Sequence, residues 1–156
     1  MKKRSAGLLL FRRQAGSFEV LLAHPGGPFW SRKDTGAWSL PKGEIGEDEE
    51  PLAAARREFT EETGFTAQGP FIELGEAKQA SGKVVAAWAC EGDADPAAMV
   101  SNLFEMEWPP KSGKTAAFPE IDRLGWFAPP QALRRIVKGQ QAFIERLAAH
   151  LASPAA

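Results

Sequence analysis

The 156-residue sequence predicts an α+β fold on three observations. Short apolar runs of strand length occur around glycine- and serine-containing turns, a strongly marked helix follows the first pair, and two helical patterns close the chain. No internal repeat or low-complexity tract interrupts this succession. The length suits one domain over residues 1–152, with "SPAA" (153–156) as a frayed tail.

The runs 5–12, "SAGLLLFR", and 18–24, "FEVLLAH", read as central strands joined by the turn "RQAGS". Residues 25–37, "PGGPFWSRKDTGA", carry the Pro and Gly of a loop, after which "WSLP" is a brief extended piece ended by Pro41. Asp48 to Pro51 open a helix, because acidic residues in the first turn suit its dipole and proline is tolerated where the N–H has no partner. The helix is predicted to run to about Thr63, with Gly64 as its left-handed stop. Leu52, Ala55 and Phe59 are its expected core face, and Glu58, Glu61 and Glu62 share the adjoining face with Ala54.

Residues 71–79 and 83–91 predict a hairpin around Ala80–Gly82, and 123–127 a last strand. Pro130–Val137 and Gln140–Leu151 predict helices, the second with Phe143, Leu147 and Leu151 at helical spacing. Residues 92–119, with several prolines, are expected to be irregular, as a lid or a loop.

An apolar content of 44% with 25% charged residues excludes wholesale disorder. A net charge of -1 gives no global positive field, so no nucleic-acid polymer is expected as a partner, although "MKKR" and Arg12–Arg13 are locally basic. The single cysteine, Cys90, excludes an intrachain disulfide and reads as a small buried hydrophobe. The first apolar run stops at Phe11 against two arginines, too short for a secretory core or a bilayer span. A cytoplasmic protein without a membrane partner is expected, its oligomeric state left open.

The stretch "ARREFTEETGF" places Glu58, Glu61 and Glu62 within one helical turn, where like charges at i, i+3 and i+4 cost roughly 0.2–0.5 kcal/mol per pair. They also sit at the helix C-terminus, whose dipole prefers cations. A bound cation resolves both conflicts. Carboxylates are hard oxygen ligands that suit Mg²⁺ or Mn²⁺, and the absence of nearby cysteine or histidine argues against zinc. Arg57, beside Glu58 and one turn before Glu61, can fix the orientation of these carboxylates. Such a metal neutralises a diphosphate and lowers the pKa of an attacking water, which makes phosphoanhydride hydrolysis the natural reaction. Lys42 stands at the entry of this site as a point charge for phosphate, Gly43 allows the backbone close to the metal, and Lys83 at a strand start is a further candidate for polyphosphate.

Over residues 43–65, "GEIGEDEEPLAAARREFTEETGF", the spacing Gly43, Glu49, Arg57-Glu58, Phe59, Glu61-Glu62, Gly64, Phe65 is similar, position for position, to the signature of the Nudix hydrolase family. The resemblance implies an α/β/α sandwich with a mixed β-sheet between helices. It also implies a nucleoside diphosphate-linked substrate, divalent ions held by Glu58, Glu61 and Glu62, and a catalytic base at Glu49 or at a glutamate before a late strand, here Glu120.

"RSAGLLLFRR", "EVLLAHPGG", "WSLPKGE" and "KVVAAWACE" resemble the asymmetrical diadenosine tetraphosphate hydrolases within that family. The chain departs from them with Glu44 where histidine is common, Ala87 where a tyrosine is expected, and no tyrosine anywhere. Base stacking then falls to Phe29, Trp30, Phe104 or Trp108. The rival reading is a (deoxy)nucleoside triphosphate pyrophosphohydrolase. A nucleotide sensor without catalysis is disfavoured by the intact signature.

Overall fold

The computed structural model describes residues 4–152, so the expected tail at 153–156 and the start of "MKKR" lie outside the described residues. The elements are β1 (Arg4–Gln14), β2 (Ser17–Pro25), β3 (Lys42–Glu44), α1 (Pro51–Thr63), β4 (Ile72–Lys78), β5 (Val84–Glu91), β6 (Leu103–Glu107), β7 (Thr115–Pro119), β8 (Ile121–Phe127), α2 (Pro129–Arg135) and α3 (Gln141–Ala152).

The main sheet runs β4-β5-β1-β2-β8, with β3 paired to β1 at one end. Strands β1 and β5 are parallel and the other pairs antiparallel, so the sheet is mixed. The two apolar runs first seen in the sequence lie at its centre, buried on both faces, which is why they read as nearly continuous hydrophobic stretches. Successive residues alternate between faces. Leu8, Leu10, Leu21 and Ala23 pack with Ala54, Ala55 and Phe59 of α1, whereas Leu9, Phe11, Val20 and Leu22 pack with Ile136 and with Phe143, Ile144 and Leu147 of α3. The result is an α/β/α sandwich, and Cys90 is fully buried on the α1 side.

Four details correct the sequence reading. Asp48 and Glu49 lie in a turn before α1 rather than in its first turn, because Pro51 occupies the helix start and Asp48 adopts a left-handed φ of 58°. Ala54 is buried while Leu52 is half-buried, since small side chains let α1 approach β1 closely. Helix α2 ends at Arg135, because Ile136 turns to bridge Trp38. Finally, residues 103–119 form a two-stranded sheet of β6 and β7 rather than an irregular stretch. Pro109 and Pro110 fall in its turn and Pro119 at a strand end, where no ladder bond is lost. The turn is held by the Glu107 carboxylate, which accepts the N–H groups of Lys111 (2.9 Å) and Gly113 (3.2 Å).

Buried Gln140 fastens α3 to the extended piece before the acidic helix. Its Oε1 accepts the Leu40 N–H at 3.0 Å and its Nε2 donates to Gln79 at 3.1 Å. Among the described residues no helix is long and apolar enough to cross a membrane.

Candidate active site

Helix α1 and strand β3 form the floor of the site. Pairing of Ala6 with Gly43 and of Gly7 with Lys42 brings β3 alongside β1, directly over the last turns of α1. The absence of a side chain at Gly43 lets the Glu58 carboxylate lie against the backbone, since a Cβ there would sit 2.0 Å from Glu58 Cδ. The Lys42 N–H donates to Glu62 Oε1 at 3.2 Å. Gly64, at φ 82°, closes α1 with its N–H on the Thr60 carbonyl at 2.8 Å.

Glu120 reaches this floor through a segment that sequence reading did not single out. The N–H groups of Val100 and Asn102 donate to the α1 carbonyls of Thr63 (2.9 Å) and Glu61 (3.1 Å), filling acceptors that the helix end leaves open. The Asn102 carbonyl then accepts the Glu120 N–H at 2.7 Å. The Glu120 side chain is exposed, and its charge acts on both Glu58 and Glu62.

Burial pushes the Glu62 carboxyl up to about 8, reinforced by Glu58 and Glu120 and opposed by the Lys42 N–H. Glu58 is likewise raised, first by burial, with Arg57 pulling the other way. Lys42 is lowered by burial and by the charge of Lys83, while Glu62 and Glu58 favour its ammonium form. Two lysines therefore stand together beside a carboxylate cluster, an arrangement of like charges with like on each side.

Arg57 is the hub of the acidic face. Its Nε and Nη2 form a fork on Glu49 at 2.8 and 3.0 Å, Nη1 donates to Glu58 at 2.9 Å and to Glu61 at 3.2 Å, and Nη2 also reaches the Glu44 carbonyl at 3.2 Å. Glu49 also accepts the Gly46 N–H at 2.9 Å. These bonds, Arg57 first, hold the Glu49 carboxyl down to about 2. Both Glu49 oxygens are thereby engaged. Arg57→Lys is therefore expected to lower kcat by about 10–100-fold, since a single ammonium nitrogen cannot form the planar fork on Glu49 while reaching Glu58 and Glu61, and the melting temperature drops by only a few degrees. Parental turnover in steady-state assays would remove the orienting role.

The donor set fits a hard divalent ion: all-oxygen ligands, half-buried Glu58 and Glu62 whose carboxyls are raised first by burial and further by neighbouring carboxylates, and a glycine backbone that admits Glu58. In the present side-chain arrangement no three acidic, histidine or cysteine groups among the described residues gather closely enough to grip an ion. Glu58 and Glu61 are instead turned toward Arg57.

The candidate stacking residues lie on the loop after β2 and on or beside the small β6–β7 sheet. Phe29 and Trp30 project from the 25–37 loop, 56% and 39% exposed. Phe29 meets Trp108 edge-on at 5.5 Å, and Phe104 pairs with Phe118 across the small sheet at 6.1 Å. Ala87 is buried in β5 and presents no surface for stacking.

The structure thus joins an α/β/α sandwich to an acidic helix set against a glycine strand, with two lysines beside it. The model of the NUDIX domain family matches residues 1–147, and the chain, whose signature is complete over residues 43–65, belongs to the Nudix family. Over 67 residues it is 41% identical to an RNA pyrophosphohydrolase of Bartonella henselae, a match covering 40% of this chain and 36% of that relative. The fold is similar to a C. elegans Ap4A hydrolase binary complex, with a TM-score of 0.67 and 21% identity over 95% of this chain and 98% of that one. It is also similar to the NUDIX domain of Shewanella oneidensis NrtR complexed with ADP ribose, with a TM-score of 0.66 and 17% identity over 97% of this chain and 89% of that one.

Proposed function

We propose that the chain hydrolyses a phosphoanhydride bond in a nucleoside diphosphate-linked substrate, with a dinucleoside polyphosphate such as diadenosine tetraphosphate favoured, in a reaction that depends on Mg²⁺ or Mn²⁺. The observation that carries this reading is the meeting of the Glu58–Glu62–Glu120 cluster with Lys42 and Lys83, because a cation and a polyphosphate together satisfy both sets of like charges. Glu58, Glu61 and Glu62 would hold the ion at the glycine backbone of Gly43. When bound, it supplies charge neutralisation on the diphosphate and a lowered pKa for an attacking water.

The remaining roles belong to the chain itself. Lys42 and Lys83 bind the phosphates, Lys42 the more strongly for being partly desolvated. Arg57 and Glu49 fix the carboxylates, and Glu120 is the base, being solvated and adjacent to the cluster rather than locked in a fork. Phe29, Trp30, Phe104 and Trp108 offer apolar surface for a base beyond the phosphates.

A second reading, pyrophosphate removal from a nucleoside triphosphate or a triphosphorylated RNA end, is favoured by the stretch shared with the RNA pyrophosphohydrolase. A hydrolysis panel separates the two, using diadenosine polyphosphates, (deoxy)nucleoside triphosphates, ADP-ribose, nucleotide sugars and a short triphosphorylated RNA, with products identified by mass. ATP plus AMP from diadenosine tetraphosphate at the highest kcat/KM is the expected result. Pyrophosphate from a triphosphate at the highest kcat/KM would replace it with the second reading, and turnover unaffected by chelation of divalent ions would remove the metal from both.

A further inference from the structure

His24 is fully buried, and the site described above leaves it without a task. It lies near the end of β2 and faces β8 across an irregular stretch of ladder. His24 stands opposite Arg123 and Pro25 opposite Ile121, so Asp122 is the extra residue of a β-bulge. Bulges re-aim side chains, and this one turns Asp122 back under the sheet edge. Its Oδ1 lies 2.8 Å from His24 Nδ1, while His24 Nε2 lies 2.5 Å from the Lys33 carbonyl oxygen. A carbonyl only accepts, so Nε2 carries a hydrogen. The other ring nitrogen faces the Asp122 carboxylate, whose Oδ1 is also 3.7 Å from Arg123 Nε. Trp38 closes the cavity edge-on, its ring centre 5.1 Å from that of the imidazole.

The two ends of this contact lead to different parts of the site. One residue past the bulge, the Gly26 N–H donates to the Glu120 carbonyl at 2.9 Å. The loop that starts there carries Phe29 and Trp30 and returns at Lys33 to the same imidazole. We propose that His24 is a positioning residue: through bulged Asp122 and the Lys33 carbonyl it clamps the β7–β8 bend at Glu120 and the Gly26–Lys33 loop into one unit beside the acidic helix. The proposal rests on the reading of Glu120 as the base.

A double-mutant cycle in kcat tests it on the full-length protein, with the best substrate of the panel. Asp122→Asn keeps an acceptor near Nδ1 at a partly exposed position but removes the charge that holds the imidazole. His24→Gln replaces two ring nitrogens with one amide nitrogen, so a nitrogen can face Asp122 or the Lys33 carbonyl but not both. Glu120→Gln is expected to lower kcat by about 10² and Asp122→Asn by about tenfold. On the Glu120→Gln background Asp122→Asn is expected to cost nothing more, because a positioning effect has no base left to act through. A purely structural role would instead lower the folded fraction equally in both backgrounds. Parental kcat in Asp122→Asn, or losses that multiply in the double variant, would overturn the clamp. Parental kcat in Glu120→Gln would overturn the base assignment and the clamp with it, reported by a different protein. His24→Gln is expected to match Asp122→Asn, and if its burial prevents folding the cycle through Asp122 decides alone.

Discussion

Glu62→Gln is expected to lower turnover by about a thousandfold and, without metal, to make the protein more stable at alkaline pH than its parent. The two effects have one origin. Glu62 lies half-buried against Glu58 and Glu120 with a single backbone N–H facing it, and burial first of all pushes its carboxyl up to about 8. That folded-state value lies above the ordinary 4.5, so the folded chain holds the proton more tightly than the unfolded chain. Stability from this source is fully present below about pH 4.5 and is lost as the pH rises through about 8. Glutamine keeps the acceptor for Lys42 N–H and cannot ionise, so the variant escapes the loss. Melting curves in a chelator at about pH 5 and about pH 8.5 should fall for the parent and stay nearly level for the variant. Added Mg²⁺ should raise the parent's melting temperature at the higher pH and leave the variant close to its starting point. Equal pH slopes in the two proteins would mean that Glu62 is not the strained carboxylate, and unchanged turnover would take it out of the metal site.

Gly43→Ala is the second large effect, expected to cost about a hundredfold in kcat/KM with little change in melting temperature. A Cβ at this position would stand 2.0 Å from Glu58 Cδ and 2.1 and 2.4 Å from its oxygens. Nothing rigid blocks it, because the atoms it meets are the far end of a flexible side chain. The protein should fold and the carboxylate should move, separating a ligand from its backbone cradle at a cost typical of disturbed metal positions, about 10–100-fold in affinity or activity. The discriminating measurement is the Mg²⁺-induced rise in melting temperature, which should shrink in Gly43→Ala relative to the parent. A parental rise with parental activity would show that Glu58 works equally well from elsewhere.

The parts of the site that were legible in the sequence are those confined to one stretch of chain. Glu58, Glu61 and Glu62 sit on one helical turn by spacing alone, and Arg57 meets Glu58 and Glu61 for the same reason. Lys42 and Gly43 are close to them because β3 leads almost directly into α1. The central strands were visible because burial on both faces leaves few polar interruptions. What was not legible depends on contacts between distant segments. Nothing local in "VSN" announces that Val100 and Asn102 will bond to the end of α1. The prolines that hid β6 and β7 are punctuation at a turn and a strand end, which their spacing alone could not distinguish from breaks. Glu49, named as a candidate base, lies in the turn before Pro51 and is held there by a fork from Arg57 of the helix, a contact that the preference of acids for a first turn does not reveal.

The bonds from Val100 and Asn102 to α1 also set an order of events in folding. They join α1 to a segment that follows β4 and β5, so a partly folded chain holding only β1, β2 and α1 has its glutamates but no Glu120 beside them. Contacts that close such long loops tend to form late and to open early. The cluster of Glu58, Glu62 and Glu120 would then be complete only in the final stage of folding, and a local opening of the 100–102 crossing would disperse it while the sheet remained intact.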